Sequence, residues 1–385
     1  MEIDEAKSPC AHPSASCALE FDDHIMSVLE ETASGLYCAA GDFYVDPWRP
    51  VARAVITHAH GDHARVGSDS YLAARAGAAI LQMRLGPQAR ISFVEYGQTQ
   101  SIGAARVSLH PAGHMTGAAQ VRIEVGGEVY VVSGDYKLQQ DPTCIPFEPV
   151  RCHTFVTEST FGLPLYRWDQ PEDVFAQIDA WWRSNQAAGK ASLLMGYTVG
   201  KAQRLLASID ESIGPIFAHG AILNACRAYE ACNVRLPKLH NVMEAEAKFD
   251  WSQALIVAPP SAMGSTWLRR FGDVSTAMAS GWMRVRGIRR RRAIDRGFVL
   301  SDHVDWQDLM SAIAATSAEQ VWVTHGYTTQ VVRSLIARGL DARSVVTQFS
   351  GEGADDAEPL SDSANAANDD AVDDVARQRD VGGEQ

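Results

Sequence analysis

The chain has 385 residues, is 46% hydrophobic and carries a formal net charge of −13, which suits two or three domains with substantial cores. No run approaches the ~18 apolar residues of a membrane span, and the acidic, proline-broken start "MEIDEAKSPCAHPSASC" does not read as a signal peptide, so a cytoplasmic protein with no membrane partner is expected. Seven cysteines, with no CxxC pair, point to reduced thiols rather than a disulfide framework.

Residues 1–26 read as a flexible N-terminal extension. "GLYCAAGDFYVD" and "RAVITH" then read as two short strands, the second buried and ending at His58. "SYLAARAGAAILQMRLG" has helical spacing, and "ARVSLHPAGH" is a strand running into a loop. "QVRIEVGGEVYVVSGD" is two alternating strands joined by a two-residue turn at Gly126 and Gly127, and "CHTFVTEST" is another strand. From about Tyr166 the texture changes to helix "PEDVFAQIDAWWRSNQAAG", strand "SLLMGYT" and the glycine-opened helix "GKAQRLLASIDESI". Strands "ALIVAPP" and "GFVLSD", helix "WQDLMSAIAAT" and strand "QVWVTHG" follow. Strands first and alternating strands and helices later imply an α/β chain of at least two domains. "RVRGIRRRRAIDR", from Arg284 to Arg296, holds seven arginines and reads equally as a solvated edge or a phosphate-binding patch. Residues 351–385 hold eleven acids against two arginines, and this aromatic-poor stretch is expected to be disordered.

The chemistry gathers at strand ends, where a rigid scaffold meets a free loop. After "RAVI" come His58, His60, Asp62 and His63; after "RVSLHPAG" comes His114; after "VYVVSG" comes Asp135; after "VWVT" comes His325. Neutral imidazole and carboxylate are the usual ligands of zinc or manganese. Two such cations need about three protein ligands each and one shared carboxylate. Gly61, Gly113, Gly117 and Gly134 flank the set and would permit positive φ and close backbone approach.

"THAHGDH" resembles the HxHxDH signature of the metallo-β-lactamase superfamily, and "HPAGHMTG" and "SGDY" follow at a fitting spacing. The resemblance implies an αββα sandwich with two divalent metal ions, zinc or manganese, and an activated water between them. One ion would take His58, His60 and His114, the other Asp62, His63 and His325, with Asp135 bridging. Asp46 in "FYVDP" matches the aspartate that supports such a site without ligating.

"VTESTF" with Glu158, "LSDHVDW" with His303 and "VTHGYT" with His325 resemble the extra motifs of the β-CASP nucleases. There the acid orients the first histidine, which protonates the leaving oxygen. The resemblance implies a cap at residues 165–296 inserted between two parts of the lactamase-like domain, residues 27–164 and 297–350. "GYTVGKAQRLL" and "APPSAMGSTW" are similar to elements of that cap. The pattern is most similar to bacterial ligase-associated DNA exonucleases, which implies DNA cleavage in repair and association with a ligase or helicase. Against DNA stands His325, at a position where Artemis-type enzymes tend to carry valine and RNA-processing members histidine. An RNA-processing ribonuclease is the alternative. A small-molecule hydrolase would need neither a cap nor the Glu158–His303 pair, and a scaffold that only binds nucleic acid would have lost ligands.

Overall fold

A computed structural model describes residues 27–246, 248–286 and 294–349; the expected extension, the acidic tail and most of the arginine-rich stretch lie outside them. Strands are numbered in chain order. The first sheet contains β1 (Glu30–Thr32), β2 (Gly35–Cys38), β3 (Phe43–Val45), β4 (Ala54–Val55), β5 (Tyr71–Ala74) and β6 (Ile91–Val94), side by side in that order. The second contains β7 (Gln100–Ile102), β8 (Ala105–Pro111), β9 (Ala119–Val125), β10 (Glu128–Val132) and β11 (Thr154–Ser159), and then β18 (Gln320–Gly326) and β19 (Asp341–Ser344) from the far end of the chain. Between them in sequence, β12 (Ala191–Met195), β13 (Ile216–Ala218), β14 (Leu239–Asn241), β15 (Leu255–Ala258), β16 (Val274–Ala279) and β17 (Arg296–Phe298) build a third sheet in the order β14-β13-β15-β12-β16-β17. Every pairing in it is parallel.

Period-two alternation explains the layering. On β10, Tyr130 and Val132 enter a core shared with Phe43, Val45 and Val55 of the first sheet, so the two sheets face each other. Val129 and Val131 point the other way, into a cluster with Leu309 and Ile313 of helix Trp306–Thr316 and Ile80 and Leu81 of helix Ala78–Leu85. The third sheet buries both faces: Leu194 packs with Trp182 of helix Pro171–Ala187, whereas Leu193 and Met195 pack with Phe271 and Met278. That is why "LLM" and "LIVA" are unbroken apolar runs.

The hairpin at Gly126 and Gly127 forms as expected, with φ of 59° and 95° and antiparallel β9 and β10. Three expectations change. "GLYCAAGDFYVD" is two strands, β2 and β3, paired antiparallel. "SYLAARAGAAILQMRLG" starts as β5, hydrogen-bonded between β4 and β6, and turns helical only later, at Ala78–Leu85. The helix read from Gly200 ends at Ser208, because the Asp210 carboxylate accepts from both the backbone N–H and the hydroxyl of Ser212, a local turn that competes with helix. The five cysteines among the described residues are free, in line with reduced thiols. No helix among these residues is long and apolar enough to cross a membrane.

Where β11 meets β18, the register shifts, and Gly326 has φ +94° with space for a Cβ only 2.2 Å from the Ser159 carbonyl oxygen. Gly326→Ala is therefore expected to cost about 2–4 kcal/mol, since backbone cannot retreat as a side chain can. Urea denaturation checks it, and an unchanged midpoint would contradict the close approach.

Candidate metal centre

The histidines are held by acceptors that fix which ring nitrogen carries hydrogen. His60 Nε2 donates to the Val199 carbonyl (3.1 Å) and His114 Nδ1 to the Asp302 carbonyl (2.7 Å). His63 Nδ1 donates to Asp46 Oδ2 (2.8 Å). Thr57 spends its hydroxyl hydrogen on Asp46 Oδ2 (2.5 Å), so its oxygen accepts from His58 Nδ1 (3.0 Å). Thr324 repeats the device, donating to the Thr157 carbonyl (3.1 Å) and accepting from His325 Nδ1 (3.1 Å). In each ring the other nitrogen faces inward, the arrangement typical of a ligating histidine.

His58 Nε2, His60 Nδ1 and His114 Nε2 thus meet as bare nitrogens, each 3.1 Å from the next along the row. Lone pairs at that distance repel, and a cation between them removes the conflict. The spacing matches the ligand-to-ligand edge of about 3.3 Å in a tetrahedral site with Zn–N near 2.0 Å. Asp135 Oδ2 closes this group at 3.5 Å from His58 Nε2 and 3.9 Å from His114 Nε2. Burial, reinforced by neighbouring imidazoles, pushes His58 and His114 well below the usual histidine range, so both offer lone pairs at neutral pH.

A second group, His63, Asp135 and His325, shares that aspartate. His325 Nε2 is 3.2 Å from Asp135 Oδ1, and His63 Nε2 is 3.6 Å from Asp135 Oδ2. His63 Nε2 is buried with no hydrogen-bond partner, and Asp135 Oδ1 and His325 Nε2, equally buried, have only each other. Such orphans are costly, and a divalent cation would satisfy them together. Burial opposes a charge on His63, but Asp135, Asp62 and Asp46 outweigh it and raise the ring to about 10. The place that attracts a proton there would attract a cation more strongly. Burial likewise works against ionised Asp135, yet His63, His303 and His325 hold it well below the usual carboxylate range. Asp62 stands apart from this trio, its Oδ2 4.0 Å from His63 Nε2.

Asp46 is buried with φ +43°, a left-handed conformation tolerated by aspartate, and its Oδ1 accepts the Thr57 N–H (2.8 Å). One carboxylate therefore anchors both Thr57 and His63. Glu158 lies beside the shared aspartate and accepts from His303 Nδ1 at 2.9 and 3.0 Å through its two oxygens. The Tyr136 N–H donates to Glu158 Oε1, and Trp168 Nε1 donates to the His303 carbonyl. His303 is buried and is not a helix cap; Asp305 caps the next helix by accepting from the Asp308 N–H. Gly113, Gly117 and Gly134 take positive φ as expected, whereas Gly61 is not among them.

Sequence reasoning did not assign Thr57, Thr324, Val199, Asp302 or Phe349. The two threonines had a signal, since each sits between an apolar run and a histidine. Phe349 had none; its ring stacks on His63 with centroids 4.2 Å apart and planes at 13°.

No family model matches the chain. A protein of Opitutus terrae named as a probable DNA ligase is 31% identical over 313 residues, covering 81% of this chain and 30% of that one. The endoribonuclease Ysh1 of Gibberella zeae is 30% identical over 158 residues, 40% of this chain and 18% of its own. Cleavage and polyadenylation specificity factor 73 of Drosophila melanogaster is 27% identical over 124 residues, 32% of this chain and 18% of its own. Its relatives include β-CASP metallo-β-lactamase nucleases. The chain spans less than a third of each of these β-CASP and ligase-named relatives. A solved structure of a protein of unknown function from Enterococcus faecalis V583 has a TM-score of 0.52 at 11% identity, covering 76% of this chain and 78% of that one, a likeness of fold. The β-CASP resemblance read from the sequence is thus borne out, and the His/Asp groups suit divalent metal ions.

Proposed function

We propose that this protein is a metal-dependent nuclease that hydrolyses phosphodiester bonds of DNA, as an exonuclease in repair. The observation that carries the reading is one carboxylate, Asp135, shared by two groups of histidines and flanked by the Glu158–His303 pair. His58, His60 and His114 would hold one cation and Asp62, His63 and His325 the other, with Asp135 common to both. Two bound divalent cations, zinc or manganese, would stabilise charge on the attacked phosphate and supply a nucleophilic water near neutral pH.

His303 completes the chemistry as the general acid. Its Nδ1 is held by Glu158, and its Nε2 would deliver a proton to the departing oxygen. Glu158 orients the ring. In this reading residues 165–296, containing the third sheet except for the end of β17, form the β-CASP cap, and the other two sheets form the metallo-β-lactamase sandwich. DNA is favoured because a relative aligned over most of this chain is named as a probable DNA ligase. Association with a ligase or a helicase belongs to the same proposal. RNA is the second reading, supported by the relatives named endoribonucleases and by His325.

Digestion of 5′- and 3′-labelled DNA and RNA strands tests both, after chelation and reloading with zinc or manganese. Cleavage should vanish with chelator and return with metal. Progressive shortening of DNA supports the exonuclease reading. Cleavage of RNA alone would replace it with the second, and metal-independent cleavage would sink both.

A further inference from the structure

Five ionic side chains are buried together against the His58–His60–His114 group, and they join segments far apart in sequence. Lys137 and Asp141 follow β10; Lys201 and Arg204 lie on helix Lys201–Ser208, which follows β12; Asp302 follows β17. None is more than 8% exposed. Asp302 faces three cations: Lys201 Nζ at 3.1 Å, Arg204 Nη1 at 3.0 Å and Lys137 Nζ at 3.6 Å. Asp141 takes Lys137 Nζ at 2.5 Å and Arg204 Nε at 3.5 Å. Lys201 also donates to the Leu300 carbonyl and Arg204 to the Ser301 carbonyl, so the helix grips the strand exit at residues 300–302 through backbone as well as side chain.

The cluster touches the histidines at two backbone points. The Asp302 carbonyl is the acceptor that turns His114 Nε2 inward, and the Val199 carbonyl, two residues before Lys201, does the same for His60 Nδ1. Gly200 links Val199 to the helix with φ +92°, and a Cβ there would lie 3.5 Å from His60 Nε2. The remaining donors are held otherwise: His58 by Thr57, His63 by Asp46 and His325 by Thr324.

We propose that Lys201 and Arg204 are positioning residues for the first metal site, acting through Asp302 and Val199 on the rings of His114 and His60. The inference rests on reading His58, His60 and His114 as ligands. A buried carboxylate kept by three cations has a fixed backbone; with one cation removed it is drawn toward water, and the carbonyl that orients His114 moves with it. The helix is then part of the metal site, although none of its side chains is a ligand. Support for a ligand from outside the donor set typically changes metal affinity ~10–100-fold.

The test uses the full chain and zinc titration against a chromophoric chelator, in two backgrounds that each retain one group. Of these two groups, only His58–His60–His114 is intact with His63→Ala and only the second with His60→Ala, while Asp135, Glu158 and His303 are common to both backgrounds. Lys201→Met should weaken zinc binding ~10–100-fold in the first background and leave it unchanged in the second. Lys201→Arg should restore most of the loss. Gly200→Ala, which leaves all five ionic groups in place, should also weaken the first group selectively, and it decides the matter if Lys201→Met fails to fold without metal. Equal weakening in both backgrounds, or none in either, would overturn the inference. A wild-type chain that takes up no zinc would instead sink the ligand reading on which it rests.

Discussion

Asp135→Ala is expected to abolish hydrolysis and to strip metal from both groups at once. Every other donor belongs to one group; Asp135 alone offers Oδ2 toward His58, His63 and His114 and Oδ1 toward His325. With that carboxylate gone, five inward nitrogens and Asp62 remain, with too little negative charge among them to hold two divalent cations. Turnover should fall by ~10⁴ or more, beyond what loss of a general acid–base group alone produces. Elemental analysis after dialysis reads the metal, and circular dichroism reads the fold, which should survive because Asp135 contributes no packing to the apolar clusters. Asp135→Asn sharpens the point: it keeps the shape and loses the charge, so it should also lose metal. Two metals retained with near-normal turnover would show that Asp135 does not bridge.

The candidate donors were legible because their parts are local. "THAHGDH" places four donors in seven positions, and His114, Asp135 and His325 each come after an apolar run that announces itself in the sequence. The hairpin that delivers Asp135 was legible for the same reason, since Gly126 and Gly127 are the residues a two-residue turn demands. What holds the donors was not legible. His60 finds its acceptor 139 positions away at Val199, and His114 finds its own 188 positions away at Asp302. No local pattern encodes a pairing set by how the third sheet sits against the others. The ion cluster gave no local signal for a related reason: burial of Lys137, Lys201 and Arg204 is decided by partners brought from elsewhere in the chain. Strand β5 was missed because "YLAARAG" has helical composition, and its hydrogen bonds to β4 and β6 override that propensity.

His303→Ala and His325→Ala are expected to fail in different ways, although the two residues are 22 positions apart and both lie against Asp135. His303 turns Nδ1 to Glu158, and that nitrogen is also 3.9 Å from Asp135 Oδ2. A rival assignment therefore exists, in which Asp135, Glu158 and His303 themselves hold a cation. Under the general-acid reading, His303→Ala slows cleavage by ~10²–10⁴ and keeps both metals. His325→Ala removes the orphaned Nε2 beside Asp135 Oδ1 and should lose the metal of the second group. A nitrophenyl phosphodiester separates them further. Its leaving oxygen departs without a proton, so it should recover most of the rate lost in His303→Ala and none of that lost in His325→Ala. Glu158→Gln should resemble His303→Ala, with a smaller loss and the same recovery, because the amide still accepts from Nδ1 but more weakly than the carboxylate. Metal lost from His303→Ala as readily as from His325→Ala would favour the rival assignment, and an absence of selective recovery would remove proton donation from the role of His303.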